Sequence, residues 1–132
     1  MIQQNPYSKY QELNALTASP GELTLLLYDG CVKALRRGTL FINEQKHEDA
    51  HNEMLRAQAI LTELQTTLDM QYEVSQGLYA IYDFMHTSVA QANMKKDATA
   101  LPDIITMLSV IRDAWQQAVR DNRRQVLTEQ EA

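Results

Sequence analysis

Residues 50–68 read AHNEMLRAQAILTELQTTL. Ala50, Met54, Ala57, Leu61, Leu64 and Leu68 step by four, three, four, three and four. That spacing keeps six apolar side chains on one stripe of an α-helix, the pattern of a bundle seam. It predicts a helix from residue 47 or 48 to residue 68.

The segments on either side carry comparable patterns. Upstream, Ser19-Pro20-Gly21-Glu22 is a strong helix start, with Ser19 as cap, Pro20 at the first helical position and Glu22 where a capping-box acid belongs. The helix it opens runs to about residue 44. Its beginning, LTLLLYDGCVKAL, is apolar on more than one side, which predicts a central helix. Gly30 in its interior costs about 1 kcal/mol relative to alanine. The expected compensation is close approach of another helix or a ligand.

Downstream, a third helix is predicted over residues 72–94. Val74, Leu78, Ile81, Met85, Val89 and Ala92 form one stripe, and Tyr72, Tyr79, His86 and Asn93 recur every seven residues beside it. A fourth starts near Asp97 or Thr99, with Pro102 tolerated in its first turn. Leu101, Ile104, Ile105, Leu108, Ile111, Trp115 and Val119 line one face. It is expected to fray by Val126. Short connections make sequential helices antiparallel neighbours. The fold expected is all-α: one domain over residues 1–132, with an up-down antiparallel four-helix bundle at 19–126. A short N-terminal helical arm at 1–18 carries Tyr7, Tyr10, Leu13 and Leu16, and a polar tail occupies 127–132.

Composition limits the function. The chain has 132 residues, 45% of them apolar, and a net charge of −5. It therefore lacks the electrostatic footprint of a nucleic-acid or anionic-membrane binder. Cys31 is the only cysteine, so neither an intramolecular disulfide nor a cysteine zinc cluster is available. The absence of a secretory leader and of a bilayer-length apolar run points to the cytosol, without membrane insertion.

The sequence HEDAH at 47–51 matches H-E-x-x-H, which in zinc proteases places two histidines and a general base on a helix. Here it falls at the acidic start of a helix, where Glu48 and Asp49 favour the helix dipole. Metalloproteases also need a strand edge for substrate, and no strand is predicted. A solvated helix start is the better reading, with adventitious metal binding by His47 and His51 left open. Glu44-His47 and Glu48-His51 have di-metal spacing, but a second inward pair is missing. Asp29-Gly30-Cys31 has no nearby histidine to activate a nucleophile. No catalytic residue, cofactor or structural metal is expected.

What remains is an excess of apolar surface, with six tyrosines and six methionines. Tyr79, Tyr82 and Met85 suit a core on spacing alone. They also suit a groove for a partner helix, because tyrosine joins apolar area to a polar tip and methionine adapts its shape. Surplus apolar faces imply a client, another helical partner or a homodimer.

Several stretches together resemble one family. These are NPYSKYQ at 5–11, TASPGELTLLLYDGCVKAL at 17–35, AQAILTELQTTLD at 57–69, GLYAIYDFM at 77–85, Ala92-Asn93, and RDAWQQAV at 112–119. The chain resembles the flagellin-specific export chaperones, FliS, over nearly its whole length. Phe84 stands where that family is expected to have tyrosine. The resemblance implies a cytosolic chaperone of the flagellar type III export system. Such a protein binds the disordered C-terminal segment of flagellin, prevents premature polymerisation and presents its client to the export gate. It also implies an N-terminal arm that lies on the bundle and yields to the client. The residues expected to form or support the groove are Tyr7 and Tyr10 in the arm, Leu23, Leu26, Leu27 and Tyr28 in the first helix, and Leu78, Tyr82 and Met85 in the third.

Overall fold

The computed structural model describes residues 20–131, and the side chains of all of these except Pro20, Asn122, Gln125 and Glu131. Four helices account for most of them: α1 (Pro20–Asn43), α2 (His47–Thr66), α3 (Glu73–Lys95) and α4 (Leu101–Glu131). No strand occurs among the described residues. The expected arm, with Tyr7, Tyr10, Leu13 and Leu16, and the Ser19 cap lie outside the described residues.

Cross-helix contacts fix the directions. Cys31 Sγ lies 3.8 Å from the carbonyl oxygen of Ala57, and Gly38 of α1 faces Met54 of α2, so α1 and α2 run oppositely. Gln65 reaches Tyr79 while His51 reaches Asn93, which sets α2 against α3. Arg112 pairs with Asp29 and Arg123 with Glu22, which sets α4 against α1. The bundle is therefore up-down and antiparallel, as the short connections predicted.

The stripe from Ala50 to Leu64 is fully buried. Facing it are Cys31, Ala34 and Leu35 of α1, then Met85 and Val89 of α3, with Leu101, Ile104 and Leu108 of α4 closing the core. Burial pushes the Cys31 thiol up to about 12, so it packs as a small hydrophobe. The close approach of α1 to α2 falls at Gly38. A Cβ there would lie 1.8 Å from the buried Met54 methyl, whereas at Gly30 it would meet only the tip of Ile60, at 3.4 Å.

Helix ends depart from expectation at three places. Leu68 lies beyond the end of α2, in the connection to α3, where it is half-buried. The last helix begins at Leu101, not at Asp97 or Thr99. Asp97 Oδ1 takes the Thr99 backbone N–H at 2.9 Å and its hydroxyl at 2.5 Å, a local turn that delays the helix. Finally, α4 does not fray by Val126 but continues to Glu131. Its last turns are rich in arginine, glutamine and glutamate, which favour helix, and Arg123 ties it to Glu22 of α1.

HEDAH does begin a helix, and His47 and His51 are both exposed. The Asn93 amide nitrogen lies 3.0 Å from His51 Nδ1, while Asn93 Oδ1 accepts from the Lys96 ammonium at 2.7 Å. With its oxygen so occupied, the amide donates and Nδ1 accepts. One histidine of the motif thus helps to join α2 to α3. Among the described residues no group of three or more His, Cys, Asp or Glu side chains is placed to hold a metal.

Candidate functional site: an apolar groove at the open seam

Three of the four seams of the bundle are closed. α1 packs along α2 and α4, and α2 along α3, but α3 and α4 meet only sparsely. The fourth seam opens into a groove of about 620 Å³ at the end of the bundle where α1 and α3 begin. This volume is within the range of sites that seat a ligand or several side chains.

Leu23 and Thr24 come from the first turns of α1, and Leu68 from the α2–α3 connection. Val74, Ser75, Leu78 and Tyr82 come from α3, and Trp115 from α4. Leu68, Leu78 and Trp115 are partly buried against the core and partly open. Tyr72 and Val74 stand at the mouth with most of their surface exposed. Thr24, Ser75 and Tyr82 are buried, so the floor offers neutral hydroxyl chemistry. Asp69 is the sole carboxylate among the described lining residues, and its Oδ1 accepts the Gln71 backbone N–H at 3.0 Å.

The floor rests on a tyrosine pair. Tyr82 and Tyr28 hydrogen-bond through their hydroxyls, with ring centroids 6.3 Å apart and planes tilted by 46°. Burial pushes the Tyr28 phenol well above its ordinary value, reinforced by the Tyr82 hydroxyl and opposed by the Trp115 indole N–H. Burial likewise raises the Tyr82 phenol. Both remain neutral donors and acceptors, each satisfying the other inside an apolar site. Such a surface suits an apolar, uncharged segment.

Of the residues singled out from sequence, Leu23, Leu78 and Tyr82 line the groove. Tyr28 and Met85 are fully buried in the core, Tyr28 directly beneath Tyr82, and Leu27 packs against that core. Leu26 is exposed and lies outside the lining. Tyr7 and Tyr10 fall outside the described residues. Trp115, Leu68, Tyr72 and Val74 were not singled out as groove residues. Each belongs to an apolar stripe, and only the sparse α3–α4 packing turns stripe residues into a wall.

An all-α bundle left open along one seam, over an apolar groove, defines the class of protein. The particular family follows from its relatives. The family profile described as "Flagellar protein FliS" matches residues 3–122. The chain is 40% identical over 124 residues to the flagellar secretion chaperone FliS of Bacillus subtilis, covering 94% of this chain and 93% of that protein. Against the FliS of Salmonella typhimurium it is 34% identical over 110 residues, 80% of this chain and 81% of the relative. Against that of Escherichia coli the identity is 29% over 111 residues, 82% of each. The chain belongs to the FliS family, a family of flagellar secretion chaperones and not of enzymes. Among the described residues, no helix is long and apolar enough to cross a membrane.

Proposed function

We propose that this chain is a cytosolic chaperone of flagellar export whose client is the C-terminal segment of flagellin, disordered in the free monomer and helical in the filament. The observation that carries this reading is the open α3–α4 seam, whose apolar floor and walls match what an amphipathic helix buries. Ordering a disordered segment costs a few kcal/mol or more, so a long apolar contact is needed to offset it. A segment held in this way cannot pair with another flagellin, so polymerisation waits until export. The loaded complex is what the export gate receives. Tyr7 and Tyr10, outside the described residues, are proposed from the family resemblance to take part in client binding.

The test is calorimetric titration of the full chain with a peptide from the flagellin C-terminus, with circular dichroism of the mixture. Saturable binding with helix gained beyond the sum of the parts is expected. Leu78→Asp, at a half-buried groove position, should weaken binding at least about tenfold by placing a carboxylate where apolar surface is buried. Undiminished binding by a folded Leu78→Asp variant would take the client out of the groove.

A further inference from the structure

A second recess lies between α1 and α4. It encloses about 360 Å³ and shares no lining residue with the groove. Its chemistry is the reverse: Lys33, Arg36 and Arg37 of α1 and Arg112 of α4 line it, with Asp29 and Asp113 as the acids among the described lining residues. Four of the chain's twelve cationic residues gather there in a protein of net charge −5.

Arg112 engages both acids. Its Nε donates to Asp29 at 2.6 Å and its Nη1 to Asp113 at 3.5 Å. Arg37 lies 3.5 Å from Glu53 of α2. Among the described residues no acid pairs with Lys33 or Arg36, and both are exposed. The recess therefore keeps a local positive excess, set on rigid helix backbone. Leu26 and Leu40 lie one heptad before and one heptad after Lys33 on the same stripe of α1. They are 61% and 52% exposed, about 21 Å apart along the helix. A stripe that reads leucine, cations, leucine at heptad spacing is a half-built helix–helix seam.

The geometry points to a docking face on α1 and α4 for an acidic amphipathic helix of a partner protein. Its apolar residues at heptad spacing would cover Leu26 and Leu40, and its carboxylates would meet Lys33 and Arg36. Charge complementarity selects this occupant over a second copy of the chain, which would bring the same cations to its own face. Because the recess and the groove are separate, such a partner and a groove-bound client fit together on one molecule.

The test uses the full chain and a designed, fluorescently labelled helical peptide of about 21 residues, with leucine at heptad positions and glutamate flanking it. Anisotropy is measured at low and high salt. Saturable binding that weakens with salt, and at least about tenfold in Lys33→Glu/Arg36→Glu, is the expected result. The neutral pair Lys33→Gln/Arg36→Gln gives the same reading with less disturbance should the reversal impair folding. Both variants should still bind the flagellin peptide like the parent, so failure here is distinguishable from failure of the groove. The inference is overturned by absence of binding, by binding insensitive to both pairs, or by equal binding of a scrambled peptide of the same composition. A concentration-dependent dimer that Lys33→Glu/Arg36→Glu abolishes would assign the face to a second copy and also overturn it.

Discussion

Tyr28 and Tyr82 carry the groove floor through one shared hydrogen bond between hydroxyls that burial keeps protonated. Both folded phenols titrate above the ordinary value of 10.0. Below that value folded and unfolded chains both hold their protons, and this contribution to stability is fully present. Above it the unfolded chain releases protons that the native chain keeps, so stability falls as pH rises. Phenolate absorbance should show these two tyrosines titrating only as the protein unfolds. Native titration of either buried phenol near its ordinary value would contradict the packing. Two glycines make a second contrast. Gly38→Ala drives a methyl onto the flexible end of the buried Met54 side chain, which must shift; the overpacking, partly offset by alanine's better helix propensity, should cost about 1–2 kcal/mol in denaturant unfolding. Gly30→Ala has room and should be neutral or gain up to about 1 kcal/mol. From sequence, Gly30 was the glycine expected to mark a close approach, because it sits in a helix interior. The closer approach at Gly38 depends on where Met54 lands, which no single-helix pattern contains.

At the scale of elements, the strongest patterns were the most legible. The four-three periodicity of 50–64 buries as written, because one helix face is enough to define that seam. The ends of helices were less legible, because they are decided by local hydrogen bonds. α1 and α3 both close with a six-to-one bond, Lys46 N–H to Phe41 O at 2.8 Å and Asp97 N–H to Ala92 O at 3.1 Å. Each places a non-glycine residue in left-handed backbone, Gln45 at φ 60° and Lys96 at φ 49°. Glycine is the usual occupant of that position. Lys96 offsets its strain by donating to the Asn93 carbonyl oxygen at 2.6 Å and to Oδ1 at 2.7 Å. Among the described residues the Gln45 side chain makes no such bond. Gln45→Gly should therefore raise unfolding stability by about 0.5–1 kcal/mol, read as a higher denaturant midpoint at unchanged slope. A lower midpoint would mean that Gln45 holds the α1–α2 turn by means other than its backbone.

For the whole molecule, the proposed function rests on an imbalance in packing. A bundle with four equal seams would bury its surplus stripes and have nothing to offer a client. Here α4 leans on α1, clamped by Arg112–Asp29 and Arg123–Glu22, and leaves α3 partly uncovered. The apolar excess was visible in composition and in the doubled stripe of the third helix. The position of the opening was not, because it depends on which two helices fail to meet. Val74 and Trp115 illustrate this: both sit on stripes that read as core, yet both face the groove. Trp115 is also the chain's only tryptophan, so the proposed site contains its own reporter. The most direct measurement is intrinsic fluorescence of the full chain during titration with a tryptophan-free flagellin C-terminal peptide, alongside calorimetry on the same samples. A saturable blue shift of Trp115 emission is expected, with a midpoint equal to the calorimetric one, as the peptide covers the indole. Calorimetric binding with unchanged emission would place the client elsewhere on the molecule and contradict the groove as its seat.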